Sequence, residues 1–182
     1  MKNAIIFHGS GGNPGVYWIP WLRGELEKQG YKVTTPALPN PDNLDINEVL
    51  PFVLNSLHFD EETVLIGHSS GASLILSLLE NIEPTIKKAI LVSGFYKQLP
   101  SSHSGMIQHT YDWGKIKSHS SEFIFVNSDN DPWGCDDQMG REMQQHLGGQ
   151  LIVMHDGHMG SDSFNQPYRE FPMLVELIER AQ

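Results

Sequence analysis

The chain has 182 residues and a formal net charge of −10, with 39% hydrophobic and 19% charged residues, so one globular domain over 1–182 is expected. The acidic excess argues against a nucleic-acid or anionic-membrane partner, because such surfaces select for clustered Lys and Arg. The single cysteine, Cys135, cannot form an internal disulfide, and the N-terminal apolar run is too short for a signal-peptide core. A cytoplasmic location is therefore expected.

Short apolar runs recur along the chain and predict strands. They are rich in Ile, Val and Phe and do not alternate with polar residues, which is typical of parallel strands covered on both faces. The runs cover 4–7, 31–35, 63–66, 89–92, 123–127 and 151–154.

Amphipathic segments between these runs predict helices. Apolar residues repeat at helical spacing over 18–26 and 46–57, and Asp45 is the expected N-cap of the second segment. Pro51 lies inside that segment and predicts a kinked or shorter helix. The residues after Gly71 are apolar almost all round, which predicts a buried helix. Further helices are predicted over 134–147 and 172–180.

The alternation of strands and helices predicts the α/β class, as a three-layer α/β/α sandwich around a roughly six-stranded, mostly parallel sheet. Segment 95–121 is too long for an ordinary connection and carries Tyr111 and Trp113. It is either a small lid over a site or a surface excursion packed on a helix.

Residues 67–71 read GHSSG and match the G-x-S-x-G pattern between a predicted strand and a buried helix. A serine on such a turn is held in a strained conformation with its hydroxyl exposed, and the glycines avoid collisions with the neighbouring strand and helix. Only Ser69 has glycines two positions away on both sides, so the spacing indicates Ser69 as the nucleophile. Ser70 would then donate its backbone N–H to an oxyanion hole.

A serine nucleophile needs a base, and the base needs an orienting acid. In proteins with this elbow the acid and then the histidine follow the serine along the chain. Asp131, in the loop after the fifth predicted strand, is the preferred acid, with Asp129 as the alternative. His158, in the loop after the sixth, is the preferred base, with His155 as the alternative.

Residues 8–12 read HGSGG after the first predicted strand, and small residues there let the backbone approach a substrate oxyanion. The N–H of Ser10, or that of Gly9, is the candidate second donor. The segment lacks the ending of a P-loop and the glycine spacing of a dinucleotide-binding loop, and no cofactor is expected. His155, Asp156 and His158 lack the spacing typical of a metal site, so no metal is expected.

These residues resemble the α/β-hydrolase fold, and most closely the small serine hydrolases of the retinoblastoma-binding-protein-nine and YdeN type. The resemblance extends over nearly the whole chain. It is carried by HGSGGN, WIPWLRGEL, LPNP, GHSSGA, ILVSGF, DW, SDNDPW and DGHMG. It implies a six-stranded sheet with a minimal cap and a triad of Ser69, Asp131 and His158.

The sequence thus predicts a carboxylesterase-like serine hydrolase that cleaves small acyl esters or related carbonyl substrates through an acyl-serine intermediate. Gly9, Tyr111 and Trp113 are candidates for the substrate pocket, although both aromatic residues are equally compatible with a core position. The alternative function is a binding or adaptor protein with an idle triad and a protein partner, since fold alone does not give function.

Overall fold

The structure, a computed structural model, describes residues 1–100 and 103–180. The described residues form one parallel sheet of six strands in the order β2-β1-β3-β4-β5-β6, which confirms the predicted α/β class. The strands are β1 (Asn3–Phe7), β2 (Lys32–Thr34), β3 (Thr63–His68), β4 (Lys88–Val92), β5 (Phe123–Ser128) and β6 (Gln150–Met154).

The strand order places a switch point at the middle of the sheet. The chain adds β2 on one side of β1 and the strands β3 to β6 on the other, so the winding direction reverses between β1 and β3. Open α/β sheets bind ligands in the crevice at such a point, beyond the carboxyl ends of the strands. Because Phe7 pairs with Gly67, the loop after β1 and the turn after β3 border the same crevice.

Helices cover both faces of the sheet, as a three-layer sandwich requires. The helices are α1 (Ile19–Lys28), α2 (Ile46–Ser56), α3 (Ser70–Leu79), α4 (Trp113–Ser118), α5 (Asp137–Leu147) and α6 (Pro172–Glu179). Ile5 and Phe7 share a core cluster with residues of α2, α3 and α5, while Ala4 and Ile6 share another with α1 and α6. All ten residues of α3 are buried, as its continuous apolar character predicts.

One helix is shorter than its apolar pattern and another begins later than predicted. Helix α2 ends at Ser56 and contains Pro51; Pro51 and Asn47, whose carbonyl loses its partner, both lie on the exposed face. Helix α5 begins at Asp137 and not at 134, since Gly134 has a φ of 88° and Asp136 accepts a hydrogen bond from the Met139 N–H as the N-cap.

Segment 95–121 contains the short helix α4, whose six residues are too few to give a periodic pattern. Gly105 accepts a hydrogen bond from the Ile46 N–H at 3.0 Å, which ties the segment to the start of α2. Residues 101–102, inside the predicted lid, lie outside the described residues, and the lid and the single-domain organisation stay predictions. In the described part of the chain, no helix has the length and apolar character needed to cross a membrane.

Candidate active site

Ser69 lies on a sharp turn between β3 and α3 with φ 55° and ψ −120°. Such a backbone conformation costs a non-glycine residue about 1–3 kcal/mol, so the surrounding structure must impose it. Added as a test atom, a Cβ at Gly67 would lie 2.4 Å from the Gly71 carbonyl oxygen, and one at Gly71 would lie 2.5 Å from that of Phe7. Both glycines are therefore required by close backbone packing. The Ser69 N–H donates to Val92 O at 2.9 Å, which anchors the turn to β4.

An aspartate and a histidine meet at the same edge of the sheet. Asp131 Oδ2 lies 2.7 Å from His158 Nδ1, and their side chains are 0% and 7% exposed. Asp131 Oδ1 accepts a hydrogen bond from the Trp133 backbone N–H at 2.9 Å, which fixes the carboxylate. Because Nδ1 of His158 faces the carboxylate, its Nε2 is the nitrogen left for a proton transfer. His158 and Ser69 line one cavity.

The alternative acid and base also pair with each other, but on the outside of the molecule. His155 Nδ1 lies 2.6 Å from Asp129 Oδ1, with side chains 79% and 52% exposed. Neither residue lines the cavity that holds Ser69. His146 is exposed as well and stacks on Trp113 with ring centroids 4.3 Å apart. The structure thus pairs the preferred acid and base and places His158 at the cavity that Ser69 lines, whereas the alternative pair lies outside that cavity.

The predicted oxyanion donors border Ser69 from two sides. Ser70 begins α3, where a backbone N–H has no intrahelical acceptor. Within the described residues, neither this N–H nor that of Ser10 donates to a backbone acceptor. The two serine hydroxyls lie 2.8 Å apart, which joins the loop after β1 to the start of α3. A Cβ at Gly9 would lie 2.9 Å from Ser69 Cβ, so Gly9 lets the loop approach the serine.

A buried histidine holds that loop, and the sequence analysis did not assign it a role. His8 Nε2 accepts a hydrogen bond from the Leu38 N–H at 3.1 Å, which leaves Nδ1–H to donate to Gly9 O at 2.8 Å. Burial lowers the pKa of His8 from its ordinary value, so the ring stays neutral, as this pair of bonds requires. The HGSGG motif identifies a loop of small residues. No sequence signal indicates that the first residue of the motif, His8, holds this loop in place through its ring.

The cavity has a volume of about 390 Å³, within the range of small-molecule sites. Its lining includes the apolar side chains of Leu44, Phe95, Leu99 and Trp133. Polar side chains line it as well, among them Tyr17, Asp42, Ser161 and Asp162. The cavity thus offers both apolar and polar contacts to a small molecule.

Tyr111 and Trp113 do not line this cavity within the described residues. They form an aromatic cluster with Tyr96, whose ring centroid lies 5.2 Å from that of Trp113, and pack against the hydrophobic core. Both residues are partly buried against the core, the alternative to a pocket position that the sequence left open. Gly9 does line the cavity, beside Ser69.

Asp131, Cys135 and His158 bring potential metal-ligand atoms within 4.8 Å of one another. The carboxylate and the imidazole are already joined by a hydrogen bond, however. Burial raises the pKa of the Cys135 thiol well above its ordinary value, whereas a metal binds the thiolate. These three side chains are therefore better described as a hydrogen-bonded carboxylate–imidazole pair beside a protonated thiol than as the ligands of a metal ion.

A strand–turn–helix serine at the switch point of a parallel sheet defines the α/β-hydrolase class. Solved structures share this fold, among them Est1E of Butyrivibrio proteoclasticus, with a TM-score of 0.71, 13% identity, and 97% of this chain and 85% of Est1E covered. Residues 4–178 match the model of the serine hydrolase family, and the chain belongs to that family. The predicted family resemblance is thereby confirmed.

Named relatives cover nearly the whole chain. Serine hydrolase RBBP9 of Rattus norvegicus is 30% identical over 176 residues, with 91% of each chain covered. The putative hydrolase YdeN of Bacillus subtilis is 28% identical over 190 residues, covering 97% of this chain and 94% of YdeN. The crystal structure of YdeN has a TM-score of 0.87 and covers 98% of this chain and 97% of that chain. Polyneuridine aldehyde esterase of Rauvolfia serpentina is 27% identical over 165 residues, covering 85% of this chain and 59% of the esterase.

Proposed function

We propose that this serine hydrolase cleaves small acyl esters or related carbonyl substrates with a triad of Ser69, His158 and Asp131. One observation carries the proposal: His158, paired with the buried Asp131 carboxylate, lines the same cavity as the strained Ser69 turn. A buried imidazole held by a carboxylate is the base that a serine hydroxyl needs at neutral pH.

The residues divide the reaction into two half-reactions. Ser69 Oγ attacks the substrate carbonyl carbon while His158 Nε2 takes the hydroxyl proton, and Asp131 stabilises the resulting imidazolium. The carbonyl oxygen becomes an oxyanion that accepts hydrogen bonds from the Ser70 and Ser10 N–H groups. The imidazolium then protonates the leaving alcohol as the acyl-serine forms. Water, deprotonated by His158, attacks this ester and releases the acid and free Ser69.

The cavity supports a small substrate with an apolar acyl group. Its volume of about 390 Å³ is near the lower end of ligand sites, and Phe95, Leu99 and Trp133 give apolar surface to the cavity that Ser69 lines. One relative is an esterase by name, which agrees with an ester bond as the target. A cytoplasmic location belongs to the same proposal, because the single, buried Cys135 is free.

Covalent labelling with a fluorophosphonate tests the proposed nucleophile. The probe phosphonylates an activated serine, so we expect wild type to be labelled and Ser69→Ala to remain unlabelled. Ser121→Ala is a matched control, because Ser121 is exposed and lies outside the cavity lining. Undiminished labelling of Ser69→Ala, or an unlabelled wild type, would contradict the proposal.

Turnover separates the hydrolase from the alternative of an idle binding or adaptor protein. We expect hydrolysis of short-chain p-nitrophenyl esters, lost in both Ser69→Ala and His158→Ala. A folded wild type that hydrolyses none of an ester, thioester and amide panel would favour the adaptor function. A protein partner would then have to be sought by other means.

A further inference from the structure

The carbonyl group of His158 accepts two hydrogen bonds from buried side chains. His68 Nε2 lies 2.9 Å from His158 O, and Ser93 Oγ lies 3.0 Å from the same oxygen. His68 ends β3 and Ser93 follows β4 directly, so both donors belong to the rigid central sheet. The backbone carbonyl of His158, the proposed base, is thus hydrogen-bonded to residues at the ends of two central strands. One of these strands, β3, leads directly into the Ser69 turn.

The His68 ring is fixed in one orientation. It is buried against the edges of Tyr17 and Trp18, each with ring centroids 5.8 Å from that of His68. Its centroid lies 4.9 Å from that of the His158 ring. Because Nε2 faces a carbonyl oxygen, Nε2 carries the proton and donates it. Burial, more than any neighbouring charge, lowers the pKa of His68 to about 3, which keeps this ring neutral beside the His158 imidazole.

Ser93, the second donor, has a strained backbone conformation. It is fully buried and has a φ of 47°, in the left-handed region that a non-glycine residue avoids. Glycine would relieve that strain, but it would remove the hydroxyl that bonds His158 O. The strained position is therefore explained by a requirement for the side chain.

The backbone N–H groups of His158 and of the residue before it are hydrogen-bonded as well. Its N–H donates to Gln166 Oε1 at 2.8 Å, and the preceding Gly157 N–H donates to Asn130 Oδ1 at 2.9 Å. These partners come from loops, whereas His68 ends β3 and Ser93 directly follows β4. The bonds of His68 and Ser93 therefore relate the position of His158 to the strand that leads into the Ser69 turn and to its neighbour.

We propose that His68 and Ser93 are positioning residues that act together on the His158 carbonyl and so set the imidazole between Asp131 and Ser69. In this role neither residue exchanges a proton with substrate, although His68 lines the cavity beside Ser69. The inference rests on the proposed function for its kinetic consequence, but its geometric part can be tested without turnover. It assigns a role to the residue before the nucleophile in GHSSG, which the sequence analysis left without one.

Three variants separate hydrogen bonding from packing. His68→Phe keeps an aromatic ring against Tyr17 and Trp18 but removes the donor, whereas His68→Gln keeps a side-chain N–H donor. We expect His68→Phe to lower kcat by about 10- to 100-fold with KM changed less than about twofold, the effect of a displaced catalytic group. His68→Gln should recover kcat to within about threefold of wild type. Ser93→Ala should lower kcat by a smaller factor, about three- to tenfold, because one donor remains.

His146→Phe is the matched control, since it makes the same exchange at an exposed histidine outside the cavity. We expect it to leave kcat unchanged. If His68→Phe does not fold, Ser93→Ala carries the test alone, because it removes a donor without changing any ring. Unchanged kcat in folded His68→Phe, or equal losses in His68→Phe and His68→Gln, would overturn the proposal.

Proton NMR gives a readout that needs no activity. The Nδ1 proton between His158 and Asp131 exchanges with solvent only when the pair opens, so its exchange rate reports how firmly the imidazole is held. We expect exchange about tenfold faster in His68→Phe and close to wild type in His68→Gln. Equal exchange in all three proteins would overturn the positioning role. Failure of the wild type to label would contradict the proposed function alone.

Discussion

Two carboxylate–imidazole pairs stand side by side in this molecule and differ mainly in burial. The inner pair, Asp131 and His158, and the outer pair, Asp129 and His155, have N–O distances of 2.7 and 2.6 Å. The inner side chains are 0% and 7% exposed, the outer ones 52% and 79%. A short hydrogen bond therefore does not distinguish a candidate catalytic pair. Exclusion of water does, because electrostatic interactions weaken in high dielectric and exposed side chains lose entropy when they are fixed.

The loops after β5 and β6 create the difference. The Asp129 N–H still donates to Met154 O at 3.0 Å, which keeps Asp129 at the sheet margin where the pair faces solvent. Asp131 lies beyond that bond, and its carboxylate accepts the Trp133 N–H. The indole ring of Trp133 then lies edge-on to His158, with centroids 6.5 Å apart. Two residues of additional chain thus convert an exposed carboxylate position into a buried one.

Replacing each histidine in turn should give the largest difference between the pairs. We expect His158→Ala to lower kcat/KM for a short-chain p-nitrophenyl ester by about 10³-fold or more, because the serine loses its base. His155→Ala should stay within about twofold of wild type, since it touches neither Ser69 nor the cavity. Steady-state kinetics on both variants, with circular dichroism as a check on folding, measure this difference. Comparable losses in two folded variants would show that burial does not identify the base.

The sequence predicted the sheet and the nucleophile turn because both depend on local pattern. Continuous apolar runs define buried parallel strands, and the glycines two positions from Ser69 are required by contacts under 3 Å. These features follow from the chain's own periodicity and sterics, so one sequence is enough to find them. The short helix α4 was not predicted, since its six residues give no periodic pattern and tertiary contacts decide it.

The supporting residues of the site could not be predicted for a different reason. Pattern and chain order favoured Asp131 over Asp129 and His158 over His155, but only tertiary packing shows that one pair is buried. His68 acts on a residue 90 positions away, and no local motif encodes that distance. Aromatic residues such as Tyr111 and Trp113 are as typical of a substrate pocket as of a core, and only the structure shows that these two pack in a separate aromatic cluster.

Acid should affect the inner region more than the outer one. The pKa of His68 falls from 6.5 in the unfolded chain to about 3 in the fold through burial, so between these values only the unfolded chain binds the proton. The fold is not penalised by this group above pH 6.5, where the His68 ring is neutral in both states. As the pH falls from 6.5 towards 3, proton binding to the unfolded chain progressively lowers the free energy of unfolding. We expect the free energy of unfolding of wild type to drop between about pH 7 and about pH 5 by some 2 kcal/mol more than that of His68→Gln.

Urea unfolding at the two pH values measures that difference, and His155→Gln is the matched control on the outer pair. The His155 side chain is 79% exposed, so its removal relieves no buried imidazole and should not reduce the loss of stability in acid. A pH dependence in His68→Gln equal to that of wild type would show that the buried ring accepts a proton in the folded state. The hydrogen bond to His158 O would remain, because Nε2 of an imidazolium is also a donor.

The smallest effect is expected from the outer pair itself. A double-mutant cycle with His155→Ala and Asp129→Ala should give a coupling free energy of about 0.2–1 kcal/mol, the usual range for exposed ion pairs. The measurement is urea unfolding of the four proteins of the cycle near pH 5.5. About 1 M salt should reduce the coupling further, because the Debye length then falls to about 3 Å.

A coupling of several kcal/mol that persists in high salt would contradict this expectation. It would mean that the outer pair is held by the loops after β5 and β6 and not by its own attraction, since a freely exposed pair at 2.6 Å is screened by water and ions. Asn130 makes this outcome testable in the same chain, because its amide oxygen accepts the Gly157 N–H and joins the two loops. If Asn130→Ala abolishes a strong, salt-resistant coupling, the geometry of the two loops positions both pairs. Burial is then the property that distinguishes the inner pair from the outer pair.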